Sequence, residues 1–132
     1  MTRSTKYIVI LFLPILMFQC ACDTTTEAPY NNFASLCQIH LQVGFSQTWV
    51  GVTIDNAKVF EGEISTIDIL GYAAIIPVQV SQGTHKLNVG VFNSASKDTI
   101  FTVIDSLYIG VNYDATNAKI SYIFQRHPFP YD

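Results

Sequence analysis

The chain has 132 residues, 49% apolar, 13% aromatic and 13% charged, with a formal net charge of −3. A charged fraction about half the usual ~25%, together with many aromatics, excludes a disordered segment. Seven Lys+Arg against ten Asp+Glu supply no basic face, which excludes a nucleic-acid-binding surface, and the length allows a single domain.

Arg3 and Lys6 precede an apolar run of 12 residues, Tyr7 to Phe18, interrupted by Pro14 and followed by Gln19-Cys20-Ala21-Cys22. A membrane-spanning helix needs roughly 17–25 apolar residues, so the run is too short for one, and an uncleaved anchor is the lesser alternative. The cationic start, apolar middle and small-residue end fit a secretory signal over residues 1–21. Cysteine just beyond the apolar run resembles the lipobox of bacterial lipoproteins. That resemblance implies a diacylglyceryl group on the cysteine, an extracytoplasmic address and the membrane as a partner. Ala21 before Cys22 is the small residue the pattern wants, although Gln19 takes its aliphatic place; Cys20 has Met17 at that place but Gln19 where the small residue belongs. Cys22 is the expected lipidation site and Cys20 the alternative. Ordinary cleavage nearby would instead release a soluble protein.

Residues 22–35, which contain Thr, Asn and Pro and lack apolar periodicity, read as a polar tether. The folded domain is expected over 36–126, with a Pro/aromatic tail at 127–132.

From Cys37 the apolar period is 2. Cys37, Ile39, Leu41, Val43 and Phe45 alternate with polar residues and glycine, and this predicts a half-buried strand. Val50, Val52 and Ile54 form the next, closed by an Asp55-Asn56 turn, and Lys58–Phe60 completes a hairpin ending at Glu61-Gly62. Glu63 to Tyr72 suits either an irregular strand or one helical turn. Ala74, Ile76, Val78 and Val80 alternate around Pro77, which has no N–H for a ladder, so this strand belongs at an edge or carries a bulge. His85–Val91, Thr99–Ile104, Leu107–Tyr113 and Lys119–Phe124 follow, with Asn93–Asp98 read as a loop.

About eight short strands with regular turn signals predict an all-β, two-sheet antiparallel sandwich, immunoglobulin-like in general architecture but without the Cys…Trp…Cys hallmark. Val52-Thr-Ile-Asp-Asn56 and Val80-Ser-Gln-Gly-Thr-His-Lys-Leu-Asn-Val89 are similar to the pattern of PEGA-like and other carbohydrate-surface sandwich modules, with Asn56 where glycine is usual. The resemblance implies the same sandwich fold.

Catalytic chemistry finds little support. His40, His85 and His127 have no ligand spacing and read as solvated strand or tail residues. There is no Gly-x-Ser-x-Gly elbow, and the seven glycines stand singly. Asp55, Asp98, Asp105 and Asp114 fall in turns, where calcium is a weak alternative to ordinary turn chemistry. Cys37 reads as a small buried hydrophobe; if Cys20 carries the lipid, Cys22 becomes its candidate disulfide partner.

Trp49, Tyr72, Tyr108 and Tyr122 are the candidate ligand-binding residues, because exposed rings stack on sugars or anchor protein partners, while core packing is the commoner fate of aromatics. The tail, His127-Pro-Phe-Pro-Tyr-Asp132, either blunts a sandwich edge or offers Phe129 and Tyr131 to a partner. The expectation is a non-catalytic lipoprotein of the bacterial envelope, needing no metal or cofactor. Its partners would be the membrane, an envelope protein or a glycan, and not nucleic acid. From Cys22 onward five Lys+Arg face ten Asp+Glu, so the mature chain carries −5.

Overall fold

The computed structural model describes residues 35–131. The signal region, Cys20, Cys22 and the tether up to residue 34 lie outside the described residues. Eight strands follow one another: β1 (Ser35–Leu41), β2 (Thr48–Ile54), β3 (Ala57–Ile64), β4 (Ala74–Val80), β5 (Gly83–Val91), β6 (Ala95–Val103), β7 (Leu107–Asp114) and β8 (Lys119–Gln125). They form two four-stranded sheets, in the orders β4-β1-β7-β8 and β3-β2-β5-β6, packed face to face as an all-β sandwich. All the pairs are antiparallel except β1 with β7, which runs parallel, with Ile39 beside Ile109.

The alternating apolar residues make the core. Cys37, Ile39 and Leu41 from β1, Val50, Val52 and Ile54 from β2, Leu87 and Val89 from β5, and Ile109 and Val111 from β7 are buried between the sheets. Cys37 is fully enclosed there, and burial pushes its thiol up to about 11. Its thiolate is therefore suppressed, as befits a small packing residue. Pro77 lies in edge strand β4, facing outward, where its missing N–H breaks no inner ladder.

Local differences from the periodicity have identifiable causes. β1 stops at Leu41, because Gly44 (φ +94) turns the chain. Phe45 keeps the apolar phase by folding back onto Tyr113, with ring centroids 5.9 Å apart. The β2–β3 hairpin turns on Asp55 (φ 49) and Asn56 (φ 66), two left-handed residues as a primed two-residue turn requires. β3 does not end at Glu61-Gly62 but continues to Ile64, paired with Thr48; Gly62 keeps an ordinary extended backbone. The segment after it makes a single turn, in which the Leu70 and Gly71 amides donate to the Ile67 carbonyl, closed by an Ile67–Tyr72 bridge.

The expected Asn93–Asp98 loop is likewise shorter. Asn93 (φ 56) turns the chain, and β6 begins at Ala95. Ser96, Lys97 and Asp98 pair with β5 through the backbone ladder, which carries no apolar signature in the sequence.

Topology sorts the connections between two ends. Ser35, the Asp55-Asn56 turn, the β4–β5 turn and the β6–β7 turn share one end. The 42–47 loop, the 65–73 loop and the β5–β6 turn share the other, joined by bonds such as Thr66 N–H to the Phe45 carbonyl and Phe92 N–H to the Trp49 carbonyl. The cleft described below therefore stands at the end remote from Ser35, where the chain enters the domain.

Candidate binding face and the tail strap

The two outer faces of the sandwich differ. On the β4-β1-β7-β8 sheet, the C-terminal tail runs back across β1 and β7. The Phe129 ring lies 5.1 Å from that of His40, and Tyr131 stacks on His40 at 5.6 Å and packs tilted against Tyr72 at 4.7 Å. Tyr108 meets the same imidazole edge-on at 6.2 Å. The tail therefore crosses a sheet face, not an edge. Gly110 makes this approach feasible, since a Cβ there would come within 2.9 Å of the Phe129 ring and 2.7 Å of Gln42 Oε1.

Beneath the strap, His40 is only 3% exposed, contrary to the solvated-strand reading of its position. The polar groups close a chain. Gln42 Nε2–H donates to Tyr131 Oη (3.1 Å), leaving the phenol proton for His40 Nδ1 (2.8 Å), while His40 Nε2–H donates to Gln38 Oε1 (3.0 Å). That arrangement suits a neutral imidazole protonated at Nε2, and burial lowers the His40 pKa below its ordinary value.

His85 is the opposite case. Its Nδ1 and Nε2 face two acceptors, Asp55 Oδ2 at 2.6 Å and the Ser81 carbonyl at 2.7 Å, so both nitrogens donate and the imidazolium is favoured. The bond to Asp55 raises the His85 pKa and lowers that of Asp55. Asp55 also accepts from the Lys86 amide at 2.9 Å, so the hairpin turn and the start of β5 are clamped together. Segments 52–56 and 80–89 thus meet in space, with a structural role.

The signs then follow from linkage. A pKa lowered in the folded state means that the His40 contribution is complete above the unfolded value of about 6.5 and is lost as pH falls through the folded value. The raised His85 gives the reverse: its contribution is complete below about 6.5 and disappears as pH rises through the folded value. NMR titration of the imidazoles is expected to show His85 titrating above His40. The same midpoint for His40 and His85 would contradict both hydrogen-bonding schemes.

Among the described residues, no strap crosses the outer face of the β3-β2-β5-β6 sheet. Across it runs the row Glu61–Gly51–Gly90–Ser96, each residue opposite the next in register. Trp49, 47% exposed, and Phe92, 70% exposed, rise at one side of the row. Asn88 and Asp98 follow on the other, with Asn88 Nδ2 bonded to Ser96 Oγ (2.9 Å) and Asp98 Oδ1 (2.6 Å). Together Trp49, Gly51, Glu61, Gly90, Phe92 and Ser96 enclose most of a shallow open cleft of about 280 Å³. The indole is held by Nε1–H to Glu61 Oε1 (3.4 Å), and the other carboxylate oxygen pairs with Lys58.

Gly51 and Gly90 are not required by the backbone. Neither has a left-handed φ; a Cβ at Gly51 would meet nothing within 4 Å, and one at Gly90 only two side-chain atoms at 3.9 Å. Glycine inside a strand weakens it and is common where a ligand or another backbone approaches closely.

Of the four aromatic candidates, Trp49 alone lines this cleft. Tyr72 and Tyr108 belong to the His40–tail cluster on the opposite sheet. Tyr122 lies between β8 and β6, its hydroxyl donating to the Lys97 carbonyl at 2.5 Å and its pKa pushed up to about 12 by burial. Phe92 was not among the sequence candidates. Its signal is phase: it follows Val91 directly, outside the Leu87–Val89–Val91 alternation and next to a turn residue, where an apolar ring has no core to enter.

Two of the aspartates expected in turns are engaged by neighbours, Asp114 in its turn and Asp98 within β6. Asp114 accepts from Thr116 N–H, Asn117 N–H and Asn117 Nδ2, and Asp98 is bonded to Asn88 and Lys86. Among the described residues, no three His, Cys, Asp or Glu side chains converge as a metal site would need. No protein-family model matches the chain, and no curated protein matches its sequence.

Proposed function

We propose that this chain is a non-catalytic binding lipoprotein of a bacterial envelope. A lipid on Cys22 and a short tether hold the sandwich outside the membrane, and the Trp49–Phe92 cleft receives a ligand. One observation carries the binding part. On the strapped sheet, the space above Gly110 is filled by the protein's own Phe129. On the other sheet, two glycines with no conformational or steric reason to be glycine lie open beside two exposed aromatic rings. A stabilising Cβ is missing at both, and the space it would take is available to something else.

The anchoring part is supported by the sequence pattern at Arg3, Lys6, Tyr7–Phe18 and Cys22. Several acyl chains on one cysteine, at about 0.8 kcal/mol per buried methylene, hold a protein at a membrane stably. Cys22→Ser is expected to move the chain from the membrane fraction to the soluble fraction. If the Cys22→Ser and Cys20→Ser variants both stay with the membranes, the lipoprotein reading is wrong.

A further inference from the structure

Resting on the reading of the cleft as a binding site, we infer that its ligand is a neutral pyranose sugar, presented as part of a longer glycan. A pyranose has an apolar C–H face and a rim of hydroxyls, and the cleft offers both complements. Trp49 and Phe92 supply aromatic surface, and the Gly51–Gly90 floor lets a ring approach the sheet to backbone distance. Around that floor stand hydroxyl partners. Glu61 is an acceptor, and Ser96 Oγ, already accepting from Asn88 Nδ2, keeps its own proton free to donate.

Charge decides against an acidic sugar or a phosphate. Glu61 lines the cleft, Glu63 stands opposite Trp49 in register, and Lys58 and Lys86 pair with Glu61 and Asp98. Among the described residues, an anion would meet a carboxylate with no unpaired cation lining the cleft. Size and shape decide against a protein partner, which needs roughly 800 Å² on each side, whereas this cleft has eight lining residues and fits a small ring. The open ends of the cleft suit an internal residue of a chain better than an isolated monosaccharide.

Trp49 is the only tryptophan in the chain, so its emission reports on the cleft directly. The test titrates the full-length protein in detergent micelles with cellohexaose, chitohexaose and polygalacturonate. A saturable change in Trp49 emission with one of the neutral oligosaccharides is expected. Its affinity should fall at least tenfold in Phe92→Ala and Gly90→Val, with both variants melting as cooperatively as the parent. No response to either neutral oligosaccharide overturns the sugar assignment. A response to polygalacturonate alone, lost in Gly90→Val, also overturns it while upholding the cleft as a binding site. A neutral-sugar response that survives Gly90→Val and Phe92→Ala overturns the cleft itself.

Discussion

Gly44→Ala is expected to destabilise the domain by about 4 kcal/mol or more, and to lower its melting temperature by roughly 15 °C or beyond. Gly44 sits at φ +94, where an L side chain is strained, and its Cβ would fall 1.6 Å from the Tyr113 carbonyl oxygen. The backbone on both sides is fixed. Gln42 N–H donates to the Val111 carbonyl at 2.8 Å, and Tyr113 N–H to the Val43 carbonyl at 3.0 Å, so the loop cannot retreat without losing its seam with β7. Phe45, which the turn returns to the core, would be displaced as well. Gly51→Ala is the matched comparison: the same methyl enters open space on an extended strand, and stability is expected to hold or rise slightly. Thermal unfolding of the two variants beside the parent checks both. Equal losses would mean that the 42–47 loop adapts freely.

The second large effect concerns the tail. Truncation after Arg126 removes the strap, uncovers His40 and Gln42, and leaves Tyr72 without the tilted ring packed against it. The two half-buried rings and the hydrogen bonds of Tyr131 are lost, offset in part by the freedom regained by residues 127–131, two of them prolines already restricted in the unfolded chain. The net loss is about 2 kcal/mol, or a melting temperature lower by roughly 10 °C. Tyr131→Phe keeps the ring but removes the hydroxyl that Gln42 donates to and that donates to His40, so a smaller loss of about 1 kcal/mol is expected. In the truncated protein the His40 imidazole should titrate near its ordinary value, since burial is what lowers it. An unchanged melting temperature and an unmoved His40 would instead assign Phe129 and Tyr131 to a partner.

The sandwich was legible because nearly every strand alternates. Cys37–Leu41, Val50–Ile54, Leu87–Val91 and Leu107–Tyr113 declare their inner faces, and Asp55-Asn56 declares its turn. The parallel β1–β7 pair was not legible, since alternation gives a strand its buried face but not its neighbour. The start of β6 was hidden for a different reason. Ala95 to Asp98 is held by its ladder to β5 and not by burial of large side chains, so its composition resembles a loop.

The candidate site was half visible. Trp49 stood out as the single tryptophan beside a polar loop, but nothing local to it indicates that Gly51 and Gly90 lie side by side, because they are 39 positions apart and meet only through the β2–β5 register. His40 shows the converse. Its place on the polar face of β1 is correctly read from alternation, yet that face is covered by a tail some 90 residues later in the chain (His40 to Tyr131, 91 positions). Contacts set by long-range topology leave no trace in local periodicity.

If Gly51 and Gly90 serve a ligand and not the fold, it shows in the thermal unfolding of the Gly51→Val and Gly90→Val variants without any ligand. Valine suits an extended strand, and a Cβ meets nothing within 4 Å at Gly51 and only two side-chain atoms at 3.9 Å at Gly90. Melting temperatures equal to or above that of the parent are predicted, by up to about 1 kcal/mol of added stability. A clear fall in both would show that the glycines are needed by the sheet itself and are not kept for a ligand.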